Sequence, residues 1–182
     1  MKKKYSQISS NILATNPYWV YKKDRYTLPD FTEGDYHYIE TTGSVIIIPL
    51  LSYDTIIMVK QFRYLNQKVS LEFPGGSNKI SLSSENNAKR ELAEEIGYYP
   101  NKLIKIGTFN PFIGVTNEFC NVYVGLELIS KKLEADKSEE FEIVNLNINS
   151  IDDKIQECEI WSGMTLATWA LFKNSIYYKR GY

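Results

Sequence analysis

Between Ser83 and Gly97 the chain specifies a helix with both ends marked. Ser83 and Ser84 are capping residues, Glu85 falls in the first turn where the helix dipole favours an anion, and Gly97 supplies the left-handed residue that ends the run. At about 100° per residue, Ala88, Leu92 and Ile96 share one apolar stripe, while Glu91, Glu94 and Glu95 gather within roughly a quarter-turn beside it. The fold must therefore bury one side of this helix and leave an adjoining edge crowded with acids. A Pro-Gly-Gly turn, Leu71-Glu72-Phe73-Pro74-Gly75-Gly76, precedes it.

Like charges three and four residues apart on a helix repel, so the acidic edge needs a positive partner. A divalent cation is one answer. Carboxylate oxygens suit the hard ions Mg2+ or Mn2+, whereas zinc prefers nitrogen and sulfur. The sequence has one histidine, His37, and two cysteines, Cys120 and Cys158, too few for a His/Cys zinc cluster. The alternative is a solvated acidic face on which Arg90 pairs with Glu94 at i,i+4. The three acids alone leave both readings open.

The spacing decides between them by resemblance. From Gly76 to Tyr98 the chain resembles the Nudix hydrolase signature, which reads Gly, five residues, Glu, seven residues, then Arg-Glu-apolar-x-Glu-Glu-x-Gly-apolar. Gly76 matches, and Arg90 to Tyr98 match at every fixed position. The departure is Leu82, which stands where the signature has its first Glu. In the family that Glu mainly braces the loop against the helix arginine, so the departure bears on loop rigidity rather than on metal ligands. Glu85 is a candidate substitute. Val59-Lys60-Gln61-Phe62-Arg63-Tyr64, the turn at Leu71–Gly76 and the loop Asn110–Glu118 further resemble the ADP-ribose pyrophosphatase branch, and the likeness runs from about Asn16 to the C-terminal helix.

The rest of the chain fits one domain of 182 residues, with 43% apolar residues for a single core. The net charge of −1 and the absence of a basic run longer than Lys2-Lys3-Lys4 argue against a groove for long nucleic acid. No apolar stretch follows those lysines as a signal peptide requires, and the longest apolar run, Val45 to Leu51, is too short to span a bilayer. A cytoplasmic protein with reduced thiols and no membrane partner is expected. Aromatic and β-branched residues at Tyr18–Tyr21 and Tyr36–Thr41, with turn residues between them, predict an N-terminal β-hairpin within about residues 16–42. Val45–Ile48 and Thr55–Val59 are apolar throughout and predict central strands, with Leu51–Asp54 as a hairpin turn between them. Further strands are expected over Ile104–Phe109, Phe119–Leu128 and Ile143–Leu146. A short helix should be capped by Ser150 with Asp153 in a capping box, and a last helix should run from Thr165 to Tyr178, with Leu166, Trp169, Ala170 and Lys173 along one side.

The resemblance implies an α+β Nudix fold, a mixed sheet sandwiched between helices, with Mg2+ or Mn2+ as cofactor. It implies metal ligands at Glu91, Glu94, Glu95 and the Gly75 carbonyl, and a general base at Glu139 or Glu140, with Glu91 as the other candidate. It places Arg63 on substrate phosphates, with Glu72 and Glu118 as further substrate-binding residues. A surface ion pair to Glu72 is the other reading of Arg63. The implied reaction is hydrolysis of a nucleoside diphosphate sugar, ADP-ribose first, by a homodimer whose N-terminal strands form the interface. The alternatives are hydrolysis of a nucleoside triphosphate or dinucleoside polyphosphate, and a non-catalytic nucleotide-binding Nudix domain. Strand alternation from Phe141 turns Glu142 to the face opposite Phe141 and Ile143, which leaves Glu139 and Glu140 as the mobile candidates.

Overall fold

A computed structural model describes residues 5–134 and 140–179, and Glu139 lies outside the described residues. The chain divides into two compact units, one formed by residues up to Gly43 with Asn110–Phe119, the other by Ser44–Phe109 with residues from Cys120 onward.

In the first unit, β1 (Ser6–Thr15), β2 (Val20–Thr27) and β3 (Glu33–Glu40) form an antiparallel sheet in that order. The expected hairpin is β2 with β3, in the register Tyr21↔Ile39. Its strand β1 was not expected. Ser9-Ser10-Asn11 has little β propensity, and the segment is extended because it pairs with β2 through Asp24 and Lys23. The Pro29-Asp30 turn is closed by the Asp30 carboxylate, which accepts from the Thr32 backbone N–H and hydroxyl.

The second unit holds β4 (Ser44–Pro49), β5 (Thr55–Arg63), β6 (Lys68–Glu72), β7 (Gly75–Ser77), β8 (Tyr98–Phe109), β9 (Cys120–Ser130) and β10 (Phe141–Asn147). Its helices are α1 (Ser84–Glu95), α2 (Ile151–Gln156), α3 (Gly163–Asn174) and α4 (Ile176–Lys179). One sheet runs β10-β5-β6, the other β7-β4-β9-β8, and the second is mixed because β4 and β9 are parallel. The continuous apolar runs are central, as expected, and their alternation separates two layers. Val45, Ile47, Ile57 and Val59 pack with Ala88 and Leu92 of α1 and with Ile96 just past its end, whereas Ile46, Ile48, Ile56 and Met58 pack with Trp169 and Phe172 of α3. β4 and β5 are thus covered by a helix on each face, an α/β/α sandwich.

Three local expectations are corrected. Leu51–Asp54 is not a hairpin turn between paired strands, because β4 and β5 lie in different sheets and meet only at the bridge Leu50↔Ile56. Both edges of β4 are already taken, by β7 and by the parallel β9. Ser150 does not form a capping box, since its hydroxyl donates to the Asn147 carbonyl and its side chain makes no cap bond. The last helix ends at Asn174, before a second short helix, and its buried side is Thr165, Thr168, Trp169 and Phe172, with Ala170 exposed.

Candidate active site

Helix α1 starts where the serine expects it to. Ser83 Oγ accepts the Asn86 N–H at 3.2 Å, and the helix ends at Ile96 with Gly97 at φ 74°. Leu92 and Ala88 are fully buried against the sheet, and this fixes the rotation of the acidic edge. Glu91 and Glu95 are buried polar residues, while Glu94 is half-buried.

The glycines of the preceding turn meet this edge. β7 pairs with β4 through Gly75↔Ile46 and Gly76↔Val45. A Cβ on Gly76 would lie 2.7 Å from Glu91 Oε1, and one on Gly75 would lie 2.3 Å from the Val45 carbonyl oxygen. Only residues without a side chain allow Gly76 this close to the Glu91 carboxylate and Gly75 this close to the β4 backbone. The Gly75 N–H donates to Glu95 Oε1 at 3.4 Å, a long bond that ties the turn to the last acid.

Arg90 donates to Glu94 through Nη1 and to Glu91 through Nη2, so the i,i+4 pair expected from the sequence forms and draws in Glu91 as well. Its Nε is buried with no hydrogen-bond partner among the described residues. Leu82, in the position of the signature Glu, is an exposed apolar side chain and offers no acceptor. Among the described residues, no three His, Cys, Asp or Glu side chains stand together in a way that could hold a metal ion. The donor set still suits a hard divalent ion. It is all carboxylate oxygen and backbone, and the glycine turn leaves no Cβ between them.

Arg63 ends β5 opposite Lys68, and its side chain reaches along β6 to Glu72. Arg63 Nε donates to Glu72 Oε1 at 2.8 Å and Nη2 to Oε2 at 2.6 Å, a two-point ion pair around a buried carboxylate. Glu72 thus holds the guanidinium in a fixed plane. Glu94 and Glu95 reach a cleft of about 240 Å³ whose walls include Phe141, Ile143 and Lys132. Glu140, which is exposed, leads into that wall, while Glu142 points away and pairs with Lys60 Nζ at 3.0 Å. Glu118 belongs to the first unit.

Sequence reasoning passed over two residues that hold the start of α1, Asn87 in the helix and Tyr123 in β9. Asn87, wholly buried, bonds the loop before the helix, and the buried Tyr123 hydroxyl donates to Ser84 Oγ at 2.8 Å. Burial holds the Tyr123 phenol above its usual pKa. A polar residue in the helix beside the apolar stripe, as Asn87 is beside Ala88, was the one signal that could have found the first.

Comparison with known proteins identifies the family and the fold. The family model described as NUDIX domain matches residues 40–159, well over half of the chain. The chain belongs to the Nudix family. It is a Nudix pyrophosphohydrolase of the kind similar to ADP-ribose pyrophosphatase. The ADP-ribose pyrophosphatase of Bacillus subtilis (strain 168) is 29% identical over 140 residues, covering 76% of this chain and 76% of that protein. The methanol dehydrogenase activator of Bacillus methanolicus is 26% identical over 145 residues, covering 79% and 78%. A solved structure described as an ADP compounds hydrolase superposes with a TM-score of 0.85 at 17% identity, covering 99% of this chain and 98% of that one. At that identity the structure establishes the Nudix fold.

Proposed function

We propose that this Nudix protein hydrolyses the pyrophosphate bond of a nucleoside diphosphate sugar, ADP-ribose first, in a Mg2+-dependent reaction that gives a nucleoside monophosphate and a sugar phosphate. The observation that carries the reading is the carboxylate edge of α1, held against the Gly75-Gly76 turn and opening on a cleft. The similarity to ADP-ribose pyrophosphatase supports the choice of substrate.

In this reading Glu91, Glu94 and Glu95 with the Gly75 carbonyl hold the cation. A divalent ion bound there supplies charge neutralisation for the diphosphate and acidifies water for attack. Arg63 presents its guanidinium to a phosphate oxygen, with Glu72 setting its plane, and the bridge oxygen leaves with the departing phosphate. Glu140, or Glu139, accepts the proton of the attacking water; Glu140 precedes the wall of the cleft without lying in a strand. Glu118 contributes to substrate binding from its loop. The chain works as a single catalytic domain, a cytoplasmic homodimer joined through the N-terminal strands.

The test is a panel of nucleoside diphosphate derivatives, nucleoside triphosphates and dinucleoside polyphosphates incubated with Mg2+, with products separated by chromatography. ADP-ribose should be cleaved fastest, to AMP and ribose phosphate. Faster turnover of the triphosphates or polyphosphates would reassign the substrate, and no turnover with retained nucleotide binding would make the domain a binding module.

A further inference from the structure

The loop before α1 is held from the helix side by the side chain of Asn87. Asn87 is completely buried. Its Oδ1 accepts the Lys79 N–H at 2.9 Å, and its Nδ2 donates to the carbonyls of Ser83 at 3.1 Å, Lys79 at 3.3 Å and Leu82 at 3.4 Å. The Leu82 N–H closes the same turn on the Lys79 carbonyl at 3.0 Å. Side chains of the loop add little apolar anchoring, because Ile80 is 89% exposed and Leu82 is 37% exposed. The loop joins β7 to α1, and β7 carries the glycine that abuts Glu91.

Asn87 sits one helical turn before Glu91, so the residue that grips the loop and the carboxylate that receives the turn share one side of α1. We infer that Asn87 is a positioning residue for the carboxylate site, which fixes Gly75 and Gly76 against Glu91 and Glu95 where Leu82 has no group to do so. Three features favour it over a merely tolerated buried amide. Both ends of the amide are used, all of its partners are main-chain atoms of one loop, and that loop leads directly to the metal-facing turn. The inference rests on the proposed cation site, and its test therefore includes readouts that need no substrate.

The experiment compares wild type, Asn87→Ala, Asn87→Ser and the control Tyr123→Phe, which removes the other tie at the same helix end. Mn2+ affinity is measured by calorimetry, and amide exchange at Lys79 and Leu82 by NMR. Asn87→Ala should weaken Mn2+ binding by about 10–100-fold, the scale for residues that orient metal ligands, and should speed exchange at both amides. Turnover at subsaturating Mn2+ should fall in step and recover as Mn2+ is raised. Tyr123→Phe should lower Tm without moving Mn2+ affinity. Mn2+ affinity within twofold of wild type in Asn87→Ala would overturn the inference, as would equal losses in Asn87→Ala and Tyr123→Phe. If Asn87→Ala does not fold, Asn87→Ser is judged by the same readouts, and its failure to fold would make Asn87 a folding residue and end the proposal. If wild type binds no Mn2+, it is the cation reading itself that fails.

Discussion

The two units build strands from different materials. In the unit around β4 and α1 every residue of β4 is buried, and apolar side chains fill both faces. In the β1-β2-β3 sheet no described residue is buried, and all ten positions of β1 are exposed. That sheet is held laterally instead. Lys22–Glu40 at 3.0 Å, Lys23–Asp35 at 2.7 Å and Arg25–Glu33 at 2.6 Å run across the strands, and Tyr26 packs between Tyr5 and Tyr36 with ring centroids 5.9 and 6.2 Å away. A core fixes side chains to within a rotamer, whereas such pairs fix strands and leave side chains in water. The contrast explains why a carboxylate constellation can be placed accurately on α1. It also leaves Ile8, Ile12, Leu13, Tyr18 and Trp19 as apolar surface, which the proposed second copy would cover.

The largest effect tests whether the well-packed unit owns the chemistry. Glu140→Gln should lower turnover by about 10²–10⁴-fold with metal and substrate affinity nearly unchanged, the signature of a lost general base. Glu142→Gln should not, because Glu142 is committed to Lys60 on the other side of β10. Steady-state kinetics of both variants decide it. Near-normal turnover in Glu140→Gln moves the role to Glu139, and if that variant is also near normal, to Glu91.

The next test breaks the comparison of cores directly. Leu92→Ala, at a fully buried position, should cost about 2–5 kcal/mol in urea unfolding. Ile12→Ala, at a position 66% exposed, should stay within about 0.5 kcal/mol for a monomer. In the proposed dimer the Ile12 loss grows and becomes concentration-dependent, and light scattering should give twice the 21.1 kDa chain mass. A monomeric mass at micromolar concentration, with Ile12 silent, would show that water covers this face and would withdraw the homodimer.

Arg63→Ala is the third test, because Arg63 combines the two modes. Its guanidinium is set by a buried carboxylate yet stands at the end of β5, half in solvent. Substrate binding should weaken by about 1.5–3 kcal/mol, the scale of a charge-assisted hydrogen bond. The measurement is kcat/KM. An unchanged value would reduce Arg63 to the partner of Glu72.

These differences also mark what a sequence can disclose. α1 was legible because its caps, stripe and closing glycine are local, and the central strands were legible because uninterrupted apolar runs need cover on both faces. The pairing of β4 with β9 was not, since the partner lies more than seventy residues on and no local signal distinguishes it from the adjacent β5. β1 was missed because its register with β2 supplies what its own residues lack. In the site, the spacing gave the acidic edge of Glu91, Glu94 and Glu95 and the Arg90–Glu94 pair, but not the second hold of Arg90 on Glu91, which depends on side-chain rotamers. Asn87 escaped because its partners are backbone atoms, and backbone atoms have no identity in a sequence.

The smallest effect belongs to the cross-strand pairs and has a definite sign in pH. Asp35 accepts from Lys23, with Arg25 nearby, and these cations hold its carboxyl below the usual carboxylate range. A carboxyl whose folded pKa is depressed contributes stability above its unfolded pKa and loses it as pH falls through the folded value. Lys23→Ala removes the first of the two cations, so wild type should exceed the variant in Tm at neutral pH. The gap should close as pH drops past the titration of Asp35, and added salt at neutral pH should shrink it too, because the pair is solvent-exposed. Thermal scans of both proteins across an acid pH series, at low and high salt, measure this. If the gap persists after Asp35 is protonated, then Lys23 stabilises the sheet through its aliphatic stem, and packing rather than charge holds these strands in register.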